Sequence, residues 1–267
     1  MALRILLVIF LFVAGTANAA APITVNLDEL TWTELRDRIA AGSTTVIIPI
    51  GGTEQNGPHM VLGKHNARVK LLAEKIAQKL GNAIVAPVIA YVPEGRVDPP
   101  AGHMRFPGTI SVSDDALRKV LESAARSFRQ HGFRDIVFIG DHGDYQNLMQ
   151  AVATTLNREW LKSRTPIAAR AHAVEEYYRA SSSGYAQLLK ERGFRDDEIG
   201  IHAGLADTSL SLAVDPNLVR AERMALPVTP ADGVRGDPRR ASAELGRLGI
   251  ELIVNKTVAA IHKAIQR

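Results

Sequence analysis

The sequence predicts an α/β fold in which a mostly parallel sheet is covered by helices on both faces, a three-layer α/β/α sandwich. Strand-like and helix-like segments alternate along the chain, as they do in such folds. The 267 residues are 46% hydrophobic, which is enough for one large core, and a charged content of 22% argues against disorder. Because no internal repeat or low-complexity linker divides the chain, we expect a single domain over residues 20–267.

Each element has a local signal. Segments that are apolar and β-branched predict buried strands at 44–50, 83–92, 135–139 and 166–171. Apolar residues at helical spacing, some with a capping residue or terminal glycine, predict helices near 32–36 and at 67–80, 113–131, 146–161, 174–192 and 241–265. The aperiodic segment 93–109, rich in proline and glycine, predicts a long loop of the kind that is often functional.

The first residues have the pattern of an export signal. Arg4 precedes an apolar run at 5–14, and Ala17-Asn18-Ala19 fits a signal-peptidase site. The run is shorter than the ~20 residues that span a bilayer, so a membrane anchor is not expected. We therefore predict a signal peptide at 1–19 and a periplasmic or secreted mature chain that is free of the membrane.

The amino-acid composition limits which residues can bind a metal. The chain has no cysteine, so disulfides and thiolate metal ligands are excluded, and any metal must bind to histidine, aspartate, glutamate or asparagine. The net charge of +4 is spread along the chain, with no basic tract interleaved with aromatic residues. Nucleic acid is therefore not an expected partner.

Three polar clusters predict one functional site. They lie at 52–59 with His65 nearby, at 140–144, and at 202–209, and the first two directly follow predicted strands. Sites in parallel sheets form beyond the carboxyl ends of the strands, so all three clusters could meet at one edge. A single histidine in such a loop is more often a hydrogen-bonding residue than a ligand. Three converging clusters instead favour a divalent metal that activates water for hydrolysis.

Two other hydrolytic sites fit less well. The run 140–144, Gly-Asp-His-Gly-Asp, is similar to a metal-binding turn of metallophosphoesterases, but their earlier Asp-x-His and later Asn-His are missing. A serine hydrolase would need a Gly-x-Ser-x-Gly turn, which is also missing, and Ser209 is better interpreted as a helix residue.

The motifs together resemble those of the creatininase family. The run 49–59 followed by 62–65 resembles the family's Glu-Gln-His-Gly-Pro-His stretch and its Thr-Asp pair. Four further segments match the family's motifs in order and spacing, and the match covers about Thr45 to Leu218. Segment 106–110 matches the family's Phe-Pro-Gly-Thr, 131–134 its His-Gly-Phe, 140–143 its Asn-Gly-His-Gly, and 202–209 its His-Ala-Gly followed by Glu-Thr-Ser, where this chain has Asp-Thr-Ser.

The resemblance implies a creatininase-like three-layer fold, hydrolysis of C–N bonds with divalent metals, and homo-oligomers. Zinc is the expected metal, with manganese or iron as alternatives. Glu54 and His142 correspond to metal ligands, and Asp144 to a ligand glutamate of creatininase itself. His202 corresponds to a histidine in proton transfer, and Asp207 to a glutamate bordering the site, so we take both as catalytic candidates.

Three residues depart from the family pattern. Asn56 replaces a histidine and His65 an aspartate, so the ligand types are partly exchanged, and we expect His65 to bind one metal together with Glu54 and His142. Ile201 replaces a catalytic glutamate, which argues against creatinine as the substrate. Further candidates for contacts with substrate or with the ligands are Asn56, His59, His103 and Asp141.

The sequence thus supports a metal-dependent amidohydrolase that cleaves a C–N bond in a small amide or lactam. The alternative is a non-catalytic metal- or ligand-binding protein that retains the fold, and the changes at Asn56 and His65 are the reason to consider it.

Export can be tested directly. We expect the mature chain to begin at Ala20, because the apolar run is too short to anchor the protein after cleavage. Amino-terminal sequencing of the protein from its native host measures this, and a sequence beginning at Met1 would contradict it.

Overall fold

The structure is a computed structural model that describes residues 24–163 and 168–266. The predicted signal peptide at 1–19 lies outside these residues. Within them, no helix is both long and apolar enough to cross a membrane.

The described part of the chain forms one sheet of parallel strands in the order β2-β1-β3-β4. The strands are β1 (Thr45–Ile50), β2 (Ala83–Val85), β3 (Asp135–Gly140) and β4 (Arg170–Ala173). In the central pair, Ile50 lies opposite Gly140, so β1 and β3 end side by side. The loops that follow these two strands therefore begin at the same edge.

Helices connect and cover the strands. Their bounds are α1 (Trp32–Ala40), α2 (Lys64–Leu80), α3 (Asp114–Gln130), α4 (Gln146–Leu161), α5 (Glu176–Arg179), α6 (Tyr185–Lys190), α7 (Asp196–Ile199), α8 (Leu205–Val214), α9 (Ala221–Met224) and α10 (Ala243–Ile265). Ser113 caps α3 as predicted, because its hydroxyl oxygen accepts a hydrogen bond from the Ala116 amide at 3.2 Å.

The sheet separates two hydrophobic cores. Alternate residues of a strand face opposite sides, so Ile47 and Val137 contact a core built with α2 and α10, whereas Ile48 and Phe138 contact a core built with α3 and α4. Both faces are thus buried, and the predicted three-layer α/β/α sandwich is confirmed.

The second strand is shorter than predicted. It was expected over 83–92, but it ends at Val85, and only Ile89 returns to an isolated bridge with Ile50. Pro87 has no amide hydrogen and interrupts the pairing. The fourth strand is shifted toward the carboxyl end of its predicted range, 166–171, of which residues 166–167 are not described.

Helix α2 begins at Lys64, three residues before the predicted start at residue 67. Its first turn carries Lys64, His65 and Arg68, which are buried polar residues. Since these side chains face the polar edge rather than the core, they add nothing to the apolar periodicity that predicted the helix. The first turn of α2 therefore belongs to the site.

The predicted helix at 174–192 is interrupted by a π-helical turn, Ala180–Gly184. Three serines occupy this turn, and the hydroxyls of Ser181 and Ser182 donate to the carbonyl of Tyr178 at 3.0 and 2.7 Å. Such bonds compete with the helical ladder, which explains the interruption.

Close packing of α8 on α10 positions the segment that carries residues 202–209. A Cβ atom added at Gly246 would lie 1.9 Å from the carbonyl oxygen of Ser209. The two helices therefore meet at a point where only glycine fits.

We expect Gly246→Ala to lower the free energy of unfolding by about 1–3 kcal/mol, because the methyl group forces the two helices apart. Chemical denaturation measures this. The control is Gly184→Ala, whose added Cβ has its nearest neighbour at 3.4 Å and which should not destabilise the protein. Equal stability of Gly246→Ala and the wild-type protein would contradict the packing argument.

Candidate metal centre

The three polar clusters converge, as the sequence predicted. Glu54 lies in the loop after β1, His142 in the loop after β3, and His202 just before α8. Glu54 is fully buried, and the rings of His142 and His202 lie 3.5 and 3.8 Å from its carboxylate oxygens. A fourth residue, His103, joins them from the 3₁₀ turn Gly102–Arg105 in the long loop.

Glu54, His103 and His142 form a group suited to a metal ion, with one ligand atom from each residue and all three atoms within 4.8 Å of one another. Oε2 of Glu54 lies 3.2 Å from Nε2 of His103 and 3.5 Å from Nε2 of His142. This oxygen is buried and has no hydrogen-bond partner in the described structure. Since a buried carboxylate oxygen is costly to leave unpaired, the residues fit a divalent cation held among these three atoms.

The electrostatics of the group favour a charged Glu54. Burial alone would raise the pKa of Glu54, but contacts with His142 and His65 lower it well below its usual range. Burial opposes a charged ring at His142, yet the neighbouring carboxylates raise the pKa of His142 to about 9. Positive charge is therefore stabilised at this point in the structure.

His65 has a different environment from the one expected of a ligand. Its Nε2 lies 2.8 Å from Oε1 of Glu54 and its Nδ1 lies 2.6 Å from Oδ2 of Asp141. Nδ1 also lies 3.2 Å from Nη2 of Arg68, so both ring nitrogens contact charged groups of the chain. His65 thus pairs with two carboxylates here and lies outside the three-residue group, and its role as a ligand stays a prediction.

A buried ionic network continues from His65. The Arg68 guanidinium binds Asp141 through Nε at 2.8 Å and Asp207 through Nη1 at 2.8 Å, and Lys64 Nζ lies 2.6 Å from Asp207. Despite burial, Lys64 and Arg68 lower the pKa of Asp207 well below its usual range. Asp207 is therefore held as an anion, and both of its oxygens are occupied by Lys64, Arg68 and the Ala203 amide, so neither is free to take up a proton from a substrate.

Gln55 connects two of the histidines. Its Nε2 lies 2.8 Å from Nδ1 of His103 and 3.0 Å from Nε2 of His202, while its Oε1 accepts from the Gly57 amide. Nε2 also donates to the Gly233 carbonyl, and its second hydrogen is directed to Nδ1 of His103, because Nε2 of His202 carries a hydrogen that it donates to the backbone carbonyl of Gln55. A His103 that binds metal through Nε2 carries its proton on Nδ1, so it requires the amide of Gln55 to be rotated.

His202 is uncharged at neutral pH. Burial, with the charge of Lys64, lowers the pKa of His202 to about 3. Its Nε2 lies 3.0 Å from the Gln55 carbonyl oxygen, and its Nδ1 lies 3.8 Å from Oε1 of Glu54. The ring therefore faces the metal-binding group in a state that can accept a proton.

The remaining predicted residues lie around this group. Asn56 is buried and donates to the carbonyls of Glu54 and Val61, so it holds the loop. His59 is buried against Thr208, at 3.0 Å from its hydroxyl. Asp144 is exposed, and its carboxylate lies outside the three-residue group.

The sequence analysis missed Gln55, Lys64 and Arg68, described above, and two further residues, Glu94 and Tyr145. Glu94 is almost fully buried in the long loop, with Oε2 3.6 Å from Nε2 of His142. Burial raises the pKa of Glu94 to about 8, with the Glu54 carboxylate adding to the shift and His142 opposing it. Tyr145 places its hydroxyl 2.7 Å from the Gly51 carbonyl and accepts from the His142 amide, so it links the two loops. The one feature of the sequence that pointed to Glu94 was its position in the long loop 93–109, which is rich in proline and glycine.

A cavity of about 390 Å³ opens beside the group. Polar residues line its base and Ile201, with 81% of its surface exposed, lies at its rim. Its lining includes Lys64, His65, Arg68, Tyr178 and His202. Of the three-residue group, His142 lines this cavity, together with His65 and His202, so a small molecule in it would lie next to the group.

Comparison with known proteins decides the family. The family model for creatininase, described as creatinine amidohydrolase, matches residues 28–261. The chain belongs to the creatininase family. A creatinine amidohydrolase of Pseudomonas putida is 28% identical over 257 residues, which cover 90% of this chain and 97% of that protein. The resemblance seen in the sequence motifs is confirmed.

Other relatives differ in what they act on. A 3-dehydro-scyllo-inosose hydrolase of Thermotoga maritima is 27% identical over 75% of this chain and 60% of that protein. A mycofactocin precursor peptide peptidase of Mycobacterium tuberculosis is 26% identical over 84% of this chain and 87% of that protein. Together with the family match, these relatives support metal-dependent hydrolase activity for this chain.

Solved creatininase structures share the fold. One superimposes with a TM-score of 0.75 at 27% identity, covering 91% of this chain and 98% of that one. A variant described as a zinc–zinc type and a manganese form, both 27% identical, give TM-scores of 0.73 and 0.74 over 90% of this chain and 98% of theirs. These structures and the three-residue group support a divalent metal in this creatininase relative.

We expect one tightly bound metal per chain, because both nitrogens of His65 contact carboxylates and Asn56 offers only an amide oxygen, a weaker ligand than the imidazole of the family motif. Elemental analysis after dialysis measures the stoichiometry. His142→Ala should lose most of the metal, whereas His262→Ala, at an exposed position on α10, should retain it. Two tightly bound ions in the wild-type protein would contradict this expectation.

Proposed function

We propose that this creatininase-family protein hydrolyses the C–N bond of a small amide or lactam after export to the periplasm. The observation that carries the proposal is the buried, unpartnered Oε2 of Glu54 beside the imidazoles of His103 and His142, next to a cavity that His142 and His202 line. Zinc is the metal we propose, because imidazole and carboxylate together suit it, and a solved relative is described as a zinc form.

The metal-binding group supplies the first requirement of the reaction. Glu54, His103 and His142 would hold the ion, and a bound divalent metal polarises an amide carbonyl and lowers the pKa of water. The low-dielectric surroundings of Glu54, which is fully buried, strengthen this electrostatic effect. The chain positions these groups through the loops after β1 and β3, which Tyr145 connects.

We assign proton transfer to His202 and not to Asp207. The neutral ring of His202 accepts a proton from the attacking water and returns it to the nitrogen that leaves, which would otherwise depart as a strongly basic amide anion. Asp207 is held as an anion by Lys64 and Arg68, at 2.6 and 2.8 Å. Its contribution is to fix the cations that line the cavity.

The cavity supports a small-molecule substrate other than creatinine. Ile201 lies at its rim where creatininase has a catalytic glutamate, so an apolar surface replaces a charged group. Relatives act on creatinine, on an inosose and on a precursor peptide, as their names state. An amide or lactam with an apolar substituent fits this rim best.

Export and assembly remain proposals. The signal-like first residues support a periplasmic or secreted enzyme, and we keep the predictions that it forms a homo-oligomer and that it binds neither nucleic acid nor membrane.

Non-catalytic binding is the weaker alternative. The unpartnered buried Oε2 of Glu54 opposes folding unless a cation binds, and a non-catalytic metal-binding protein would retain it as well. Catalysis is favoured by His202, whose uncharged ring lies beside Glu54 and can take part in proton transfer.

We expect His202→Ala to lower kcat for an amide or lactam substrate by roughly 10²- to 10⁴-fold with the metal content unchanged, because it removes the proton carrier. Turnover of a panel of lactams and acyl amides, followed by release of amine, measures this. His131→Ala, an exposed position at the end of α3, is the matched control and should retain activity. A His202→Ala enzyme with wild-type turnover would refute the assignment.

A further inference from the structure

Glu94 is the buried acid for which the mechanism above has no use. Its side chain is 1% exposed, and both carboxylate oxygens are buried without a hydrogen-bond partner in the described structure. The cations nearest the site are committed elsewhere, since Lys64 and Arg68 bind Asp207 and Asp141. Glu94 therefore lies close to a second acid, Glu54. Among the described residues, His142 is the one basic group that forms an ion pair with Glu94.

The backbone holds Glu94 firmly in this position. Its amide donates to the hydroxyl of Ser111 at 3.0 Å, which ties the long loop to the segment before α3. On the other side, a Cβ atom at residue 52 would lie 2.4 Å from Oε1 of Glu94. Gly52 thus leaves the space that the Glu94 carboxylate occupies next to the loop after β1.

The spacing of the atoms has the dimensions of a coordination shell. Ligand atoms in a tetrahedral site with bonds of about 2.0–2.1 Å lie about 3.3–3.4 Å apart. Oε2 of Glu54 lies 3.2 and 3.5 Å from the Nε2 atoms of His103 and His142, and Oε2 of Glu94 lies 3.6 Å from Nε2 of His142. Both oxygens lack a hydrogen-bond partner, so their lone pairs are open to a cation. Among the described residues, the group whose ligand atoms all lie within 4.8 Å of one another comprises Glu54, His103 and His142, so Glu94 would have to move closer to join it when an ion binds.

We propose that Glu94 is a protein ligand of the metal centre and completes, with Glu54, His103 and His142, a shell of two carboxylates and two imidazoles. This inference rests on the metal dependence in the proposed function. It also fits the departure at His65, because both ring nitrogens of this residue contact carboxylates of the chain. The long loop, through His103 and Glu94, supplies the ligands that the first loop no longer offers.

The test is zinc affinity, measured on metal-free protein by competition with a chromogenic chelator. Glu94→Gln keeps the shape and removes the charge, and it should raise the Kd for zinc by about 100-fold or more, since residues that only support ligands already cost 10–100-fold. Glu94→Asp keeps the charge but withdraws the oxygens by one methylene, so it should also weaken binding. Cobalt in place of zinc should show an altered visible spectrum in both variants.

Two controls separate ligation from general effects. Glu198→Gln removes another buried carboxylate, which binds Arg240 at 2.9 Å away from the site, and it should leave the Kd unchanged. Asp144→Asn tests the ligand suggested by the family motif and should weaken binding less than Glu94→Gln does. Circular dichroism of each metal-free variant establishes that it is folded.

The results distinguish this inference from the proposed function. Wild-type zinc affinity in Glu94→Gln, or in Glu94→Asp, overturns the assignment of Glu94 as a ligand. If His142→Ala loses zinc in the same experiment, the metal centre itself stands. A wild-type protein that binds no zinc, manganese or iron overturns both the metal centre and the role of Glu94.

Discussion

The carboxylate of Glu54 is a buried anion at the end of the central strand, and the site is organised around compensating its charge. Both oxygens face imidazole nitrogens, Oε1 that of His65 and Oε2 those of His103 and His142. A carboxylate taken out of water is tolerated only with such partners or with a cation. The loops after β1 and β3 and the long segment 93–109 converge here and bring the histidines that compensate the charge of Glu54.

The charges next to Glu54 divide into two halves. On one side Oε2 of Glu54 and both oxygens of Glu94 lack partners, and a divalent cation satisfies them. On the other side, the chain supplies its own cations, since Lys64 and Arg68 neutralise Asp141 and Asp207.

Local sequence signals were sufficient for most of the fold and for part of the site. Strands β1 and β3 are apolar, and helix α3 has a capping serine and helical spacing, so each could be predicted from its own residues. The loops after β1 and β3 lie together because neighbouring parallel strands end at the same edge of the sheet. The end of β2 and the start of α2 depended on single residues, Pro87 and the polar Lys64. Glu94 could not be recognised, because its placement depends on the missing side chain of Gly52 and on Ser111, which are distant in sequence.

Gln55 links metal binding to the orientation of an amide. Its Nε2 lies 2.8 Å from Nδ1 of His103 and can only donate, so this arrangement fits a His103 whose Nδ1 carries no proton. A His103 that binds a metal through Nε2 carries its proton on Nδ1 and needs the amide oxygen of Gln55 there instead. Metal affinity in this protein therefore depends on a residue that is not itself a ligand, so substitutions at residue 55 can change the affinity while every ligand is retained.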